Sequence, residues 1–560
     1  MRLALAQINS VVGGLDENRD VILKSLAAAK DAGADVVCFP ELALTGYPPE
    51  DLLLKRGFIE DNQRALNALA AEIEGIVAIV GFVDSDGPMS IFNAAAIVAD
   101  QQVRGIYRKQ ILPNYGVFDE ERYFKPGKSI LLAEFNRGLF GVTICEDIWS
   151  ADGPHSDCAK AGASLVINLN ASPYHVGKGR KRQELVRERA MENDITIAYV
   201  NLVGGQDELV FDGSSFVCDH RGELLARAAQ FQEELLVLDI ELPEDAPKDK
   251  APPEGRIADL GVSKDPERSS VRAAIAAELD EDAEVYQALV LGVRDYIGKN
   301  GFDKVLIGLS GGIDSALTAA IAVDALGPRS VLGISNPSEF TSGQSMRDAT
   351  KLADNLGIRL ETLPIKLAFE VITETLARMF RKTEIGLAEE NVQARIRGLL
   401  WMAVSNKTGR MVLSTGNKSE LSVGYATLYG DMAGGFAVLK DVPKTLVYKL
   451  ARFRNQHGRA IPESIIDRPP TAELRPDQLD TDSLPPYDVL DPILEAYVEQ
   501  DLSGKQIVAL GFDPETVGRV IEMVDKAEYK RRQAAPGIKI TQRAFGKDRR
   551  LPITNHYKQY

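Results

Sequence analysis

Between Leu242 and Arg256 the chain reads LPEDAPKDKAPPEGR, a run of proline and mixed charge that suits neither a packed helix nor a paired strand. A second polar stretch, SKDPERSS, follows it. The chain is therefore expected to fold as two bodies, each with a core of its own, and 560 residues suffice for two sizeable cores. The expected division is a first domain over 1–243, a connector over 244–275 and a second domain over 276–560.

Before the break, strand-like apolar runs (RLALAQI, DVVCFP, VAIVGFV, GLFGVTIC, SLVINLN, TIAYVNLV) alternate with helical patterns over 17–32 and 63–73. FNAAAIVAD against VRGIYRK, and GSSFVCD against ELLARA across the turn signal HRGE, predict antiparallel hairpins. Mixed sheets covered by helices follow. After the break, Val285, Ala288, Leu289, Gly292, Val293 and Tyr296 fall at helical spacing, and the pattern stops at Asn300-Gly301. DKVLIGL, SALTAAIAVDALG, SVLGIS, GQSMRDATKLADNLG and RLETLPI then alternate strand and helix, which predicts a doubly wound parallel sheet. The fold class is α/β throughout.

Composition narrows the partners. Lys and Arg total 65 against 81 Asp and Glu, and the resulting net charge of −16 repels phosphate backbones, so nucleic acid is not an expected partner. No stretch approaches the roughly 20 apolar residues that span a bilayer, and MRLALAQINSVVGG lacks the features of a secretory leader. A cytoplasmic protein with no membrane partner is expected. Cys38, Cys145, Cys158 and Cys218 show no Cys-x-x-Cys spacing and are expected to be reduced thiols, and none follows residue 218. His155, His175 and His220 are isolated, so no metal site is expected in the first domain.

Two places carry chemistry. After the strand ending at Leu309 comes Ser310-Gly311-Gly312-Ile313-Asp314-Ser315, directly before a helix. Ligands gather at the carboxyl ends of parallel strands, glycines let a backbone curl around an anion, and a helix N-terminus favours negative charge, so pyrophosphate is the natural occupant. The spacing GxxxxGK[ST] is absent, which excludes a Walker A loop. The second place is Cys145 in GVTICEDIW, with Glu41 in FPELALTGYPPEDL and Lys109 in YRKQILPNYGVFDE, each just past a strand-like run. A strand-end cysteine by itself reads as a small buried hydrophobe. Were the three to meet, the thiol would attack a carbonyl, the carboxylate would move protons and the ammonium would hold charge and favour thiolate, an amide-cleaving set.

Nearly all of residues 1–240 resemble the nitrilase, or carbon-nitrogen hydrolase, family, whose Glu-Lys-Cys triad falls in these three contexts. The resemblance implies an α-β-β-α sandwich in which Cys145 forms a glutamyl thioester, Glu41 acts as general base and acid, and Lys109 stabilises the oxyanion. Tyr115 in LPNYG, Ser172 in NASPYH and Lys178 in GKGRKR match positions that grip glutamine in nitrilase-type glutaminases. Some members carry Arg at the last of these, so Lys178 would offer a point charge in place of a bidentate fork. Trp149 is expected only to pack.

SGGIDS resembles the pyrophosphate loop of the ATP pyrophosphatases, which implies an adenine nucleotide α-hydrolase-like second domain that adenylates a substrate oxygen. LSTGNKSELSVGYATLYGDMAGGFAVLKDVPKTLVYKLA resembles the NAD synthetase core, and KRRQAAPGIKITQRAFGKDRRLPITN the carboxyl-terminal segment of its glutamine-dependent members. This implies a ligase that amidates deamido-NAD+ with ATP and with ammonia released from L-glutamine. By the same resemblance Gly308, Leu309, Ser310, Gly311, Gly312, Ile313, Asp314, Ser315 and Thr415 bind ATP. Asn391, Glu420, Tyr425, Ala426, Thr427, Leu428 and Lys530 contact deamido-NAD+, and Asp314 and Glu420 hold Mg2+, an ion that takes hard carboxylates beside phosphates. NPSEFTS departs from the usual Met-Pro-Ser and Tyr-Thr-Ser at Asn336 and Phe340, so Phe340 is left out of the site. Fusion of the two activities implies that ammonia is tunnelled between domains, at raised effective concentration. A homo-oligomer is implied by analogy. The rival reading, a nitrilase-type amidase fused to a tRNA-modifying adenylating domain, conflicts with the acidic charge and with the absence of cysteine after Cys218. A binding protein with dead sites would not be expected to retain Glu41, Lys109 and Cys145.

Overall fold

The computed structural model describes residues 1–87, 90–136, 138–242, 256–260, 269–381, 383–384 and 386–557. The chain separates into two compact units, Met1–Gln206 with Val210–Asp280, and Asp207–Leu209 with Glu281–Tyr560.

In the first unit the strands are β1 (Arg2–Gln7), β2 (Val36–Cys38), β3 (Val77–Gly87), β4 (Ser90–Ala99), β5 (Gln102–Arg108), β6 (Leu131–Phe135), β7 (Gly138–Ile144), β8 (Leu165–Asn170), β9 (Thr196–Asn201), β10 (Val203–Gln206), β11 (Leu209–Asp212), β12 (Phe216–Cys218), β13 (Leu224–Arg227), β14 (Glu234–Asp239) and β15 (Arg256–Asp259). Among the described residues they build one sheet in the order β14-β1-β2-β3-β4-β5, another in the order β13-β12-β9-β8-β7-β6-β15, and the separate pair β10-β11. The expected hairpins are present as the antiparallel pairs β4/β5 and β12/β13.

Period-2 alternation decides how these sheets stack. Leu3, Leu5, Val36, Cys38, Ile79 and Ile97 of the first sheet share one core with Phe140, Val142, Ile144, Ile167 and Val200 of the second. Their strand neighbours Ala4, Ala6, Val37, Ala78 and Val80 point the other way, onto Ile22 and Leu26 of α1 (Leu15–Asp31) and Leu66 and Leu69 of α2 (Arg56–Ala71). On the far side Val166, Ile197 and Phe216 meet Cys158 of α3 (Pro154–Lys160) and Val186 and Ala190 of α4 (Lys178–Asn193). The layers are α-β-β-α. Each fully buried Leu or Ile contributes about 1.5–3 kcal/mol, and a one-residue slip of β1 would trade Leu3 and Leu5 for Ala4 and Ala6 in the middle layer.

Of the segment read as a connector, residues 244–255 and 261–268 lie outside the described residues. The rest follows the first unit. β15 pairs parallel with β6, and Val271 N–H donates to Asp239 at 2.8 Å. Four residues between proline-rich and charged flanks carry too little alternation to announce a strand.

In the second unit α5 (Glu281–Lys299) precedes β16 (Val305–Gly308), α6 (Ile313–Leu326), β17 (Val331–Ser335), α7 (Gly343–Leu356), β18 (Arg359–Thr362), α8 (Lys366–Leu376), α9 (Leu387–Thr408), β19 (Met411–Ser414), α10 (Lys418–Val423), β20 (Phe436–Ala437) and α11 (Lys444–Gln456). The sheet is parallel, in the order β18-β17-β16-β19-β20. The chain builds outward from β16 to β18, then crosses back to β19. That reversal opens a crevice at the carboxyl ends of β16 and β19, where the Ser310 loop emerges. Among the described residues no helix is long and apolar enough to cross a membrane.

Candidate active sites

Glu41, Lys109 and Cys145 all leave strand ends in the first unit, and all three are buried. Lys109 Nζ donates to Glu41 Oε1 at 2.7 Å and to both oxygens of Glu120 at 2.9 and 2.8 Å. Glu41 also accepts from Asn93 Nδ2 at 2.7 Å and from the Ala171 N–H at 3.0 Å, so Oε1 is held by two donors and Oε2 by one, which leaves a lone pair of Oε2 able to take a proton. Cys145 opens a 3-10 turn with a φ of 42°, a left-handed setting costing a non-glycine residue about 1–3 kcal/mol. Asp147 secures that turn. It accepts from the Ile144 N–H at 2.9 Å and from Tyr107 Oη at 2.7 Å, and its other oxygen accepts from the Gln110 and Ile111 N–H groups beside Lys109.

Lys109 favours thiolate as expected, but burial first and Glu41 second outweigh it and push the Cys145 thiol well above its ordinary range. The ammonium is already shared by two carboxylates, so it offers the sulfur little charge and the protonated thiol is favoured. Glu120 is raised to about 7, chiefly by burial, with Lys109 opposing. Its position in NYGVFDEERYF gave no sign that it would turn inward to share Lys109 and to accept from Tyr47 Oη at 3.0 Å.

The expected substrate-gripping residues sit around the same thiol. Tyr115 Oη donates to the two oxygens of Glu146 at 2.9 and 3.0 Å. Ser172 is buried, with its N–H on Asn201 Oδ1 at 3.0 Å and its carbonyl accepting from Arg182 at 3.2 Å. Lys178 opens α4 and holds its Nζ 4.0 Å from the centre of the Trp149 ring. Burial, helped by Arg182, lowers Lys178 to about 8. Trp149 therefore does more than pack: its ring face carries the Lys178 ammonium.

In the second unit Gly308, Leu309, Ser310, Gly312, Ile313, Asp314, Ser315, Thr415, Glu420, Tyr425 and Thr427 line one cleft. Gly311 turns the loop at a φ of 79°, and a Cβ there would stand 2.4 Å from the Ser345 carbonyl oxygen, so no other residue fits. Asp314 and Glu420 converge on Lys444, whose ammonium contacts Asp314 closely and Glu420 at 3.3 Å. Burial lifts Glu420 to about 8 against the pull of Lys444. Asn391, Ala426, Leu428 and Lys530 are not among the residues that line the cleft, but Asn391 and Lys530 bond to the segment that carries its lining residues Tyr425 and Thr427. Thr427 Oγ1 donates to Asn391 at 2.8 Å, and Lys530 Nζ donates to the Gly424 and Ala426 carbonyls at 2.7 and 2.8 Å. Three cations of the cleft, Lys444, Arg397 and Arg468, went unnoticed in the sequence. Arg397 donates to the Asn336 carbonyl at 3.2 Å, and burial lowers it to about 10. Among the described residues no group of three or more His, Cys, Asp or Glu could hold a metal by itself.

The carbon-nitrogen hydrolase family matches residues 2–245, and the NAD synthase family matches residues 285–534. The chain thus joins an amide-cleaving hydrolase unit to a nucleotide-dependent synthase unit. It is 48% identical to the glutamine-dependent NAD(+) synthetase of Thermotoga maritima, over 100% of this chain and 99% of that one. It is 45% identical to the enzyme of the same name from Aquifex aeolicus, over the whole of both. The solved glutamine-dependent NAD+ synthetase of Acinetobacter baumannii, in complex with ADP, is 44% identical with a TM-score of 0.76, covering 99% of this chain and 98% of that one. The chain belongs to the glutamine-dependent NAD+ synthetase family.

Proposed function

We propose that the protein amidates deamido-NAD+ to NAD+, converting ATP to AMP and pyrophosphate and drawing its nitrogen from L-glutamine. The observation that carries this reading is the coexistence in one chain of a buried thiol, carboxylate and ammonium and of a glycine-turned anion loop facing a cationic cleft.

At the first site Cys145 Sγ attacks the side-chain amide carbon of glutamine while Glu41 takes the thiol proton. Collapse of the tetrahedral adduct breaks the C–N bond, Glu41 returns the proton to the departing nitrogen, and ammonia leaves a glutamyl thioester. Glu41 then takes a proton from water, which attacks the thioester; the C–S bond breaks, Cys145 Sγ recovers the proton from Glu41, and glutamate is freed. Lys109 stabilises the developing oxyanion, and Glu120 keeps Lys109 oriented as Glu41 gains and loses its charge. Glu146 and Lys178 offer opposite charges to the ammonium and carboxylate of the amino acid, and Ser172 and Tyr115 complete the grip.

At the second site the backbone N–H groups of the Ser310–Ser315 loop and the start of α6 hold the β and γ phosphates of ATP. Lys444, Arg397 and Arg468 spread positive charge over the cleft as pyrophosphate departs. Asp314 and Glu420, two hard carboxylates that converge on one ammonium, would hold an Mg2+ ion. Bound there, the ion would neutralise phosphate charge. Thr415 meets the nucleotide, while Asn391, Lys530 and the Tyr425–Leu428 segment shape the surface offered to deamido-NAD+. We place the enzyme in the cytosol, assembled from more than one copy.

The test is a product assay with deamido-NAD+, ATP and either nitrogen source. Cys145→Ala is expected to abolish glutamine-driven NAD+ synthesis and to leave synthesis from ammonium salts. Loss of both, with the variant folded, would overturn the division of labour. Asp314→Ala is expected to do the reverse, leaving glutamate release without NAD+.

A further inference from the structure

Trp149 closes the turn that Cys145 opens, its N–H donating to the Glu146 carbonyl at 3.0 Å. Arg189 of α4 donates to the Ile148 carbonyl at 3.3 Å and to that of Trp149 at 3.4 Å, which fixes the turn and α4 against each other. Across this junction the Lys178 ammonium lies on the indole face, 4.0 Å from the ring centre. Among the described residues no carboxylate comes within ion-pairing distance of it, whereas Arg182, one turn along α4, is paired with Asp212. Lys178 also stands at the helix N-terminus, where the backbone dipole opposes a cation, and its pKa is depressed by burial and by Arg182. A π face tolerates an ammonium without neutralising it.

We propose that Trp149 is a positioning residue that selects carboxylate-bearing amide donors, its ring holding Lys178 against the turn that begins at Cys145 so that the substrate carboxylate supplies the missing counter-charge. The inference rests on the reading of this pocket as a glutamine site. A protein carboxylate in place of the ring would hold the ammonium equally well but would compete with the substrate. An aliphatic side chain would leave it to swing into solvent.

The test is a double-mutant cycle on the full chain, with glutamate release from glutamine as the readout. Trp149→Leu is expected to raise the glutamine KM roughly tenfold while kcat stays within about threefold, and Trp149→Phe, which keeps a ring, to recover most of that loss. In a Lys178→Ala background Trp149→Leu should cost nothing more, because the partner through which it acts is gone. Equal effects in both backgrounds, a fall in kcat at unchanged KM, or a Phe variant no better than Leu would each sink the proposal. Should the Leu variant not fold, Trp149→Phe is run through the same cycle, with a smaller KM rise expected only where Lys178 is present. If the wild-type enzyme releases no glutamate, the glutamine reading itself falls. If it does and the cycle is additive, only the role given to Trp149 falls.

Discussion

Burial and the neighbouring Arg182 lower Lys178 to about 8, and the shift has a definite sign. Below about 8 the side chain is charged and able to meet a carboxylate; above it the free site is progressively neutral. The glutamine KM is therefore expected to be flat up to about pH 8 and then to climb by up to about tenfold per pH unit. Lys178→Arg should flatten the profile, because a guanidinium keeps its charge throughout. A wild-type profile level to about pH 9.5 would show that Lys178 does not carry this contact. Glu120 acts through Lys109, whose ammonium it shares with Glu41. Replacing it by Gln leaves Lys109 a full positive charge shared only with Glu41, which makes Glu41 a poorer base. Glutamate release should fall by about 10²-fold in kcat while ammonium-driven synthesis holds, and the isosteric amide should leave thermal unfolding little changed. Equal loss of both activities would assign Glu120 to folding alone.

A loop can be tested as one piece. The Ser310–Ser315 segment is closed by its own hydroxyls: Ser310 Oγ accepts from the Gly312 N–H at 3.2 Å, and Ser315 Oγ donates to the Gly312 carbonyl at 3.0 Å. Gly311→Ala would add about 1–3 kcal/mol of backbone strain and a clash with Ser345, so the loop should open and ATP affinity drop by at least tenfold in direct titration. Wild-type affinity would mean that the loop is not the phosphate seat. The same segment was legible in advance because its information is local: a strand, glycines and a helix start in sequence. Glu41, Lys109 and Cys145 were legible as strand ends for the same reason, although nothing in their spacing states that they meet. What stayed hidden is what packing creates. Glu120 turns inward from a loop, Arg397 reaches the cleft from mid-helix on α9, and Lys444 arrives from the start of α11 to bridge two carboxylates far from it in sequence. A parallel pairing such as β15 with β6 is equally silent, since its partner lies a long way off in the chain.

Taken together, the two units pose a problem of nitrogen supply that neither poses separately. Glutamine cleavage yields ammonia, and only the uncharged form attacks an acyl adenylate. In neutral water most of it takes up a proton, and a molecule of net charge −16 would collect the resulting cation without making it a nucleophile. Synthesis from glutamine can be efficient at low free ammonia only if the nitrogen reaches the second site before it equilibrates with solvent, which is an effective-concentration argument and needs no extra chemistry. The consequence is measurable. With amide-labelled glutamine and an excess of unlabelled ammonium salt, NAD+ from the wild-type enzyme should carry the label in nearly every molecule, in proportions insensitive to the salt. Cys145→Ala in the same mixture should give NAD+ with no label, at a rate proportional to added ammonium. If the label in wild-type product instead falls as the salt rises, towards the ratio of the two pools, the ammonia is passing through bulk water, and the fusion gains nothing beyond matched amounts of its two activities.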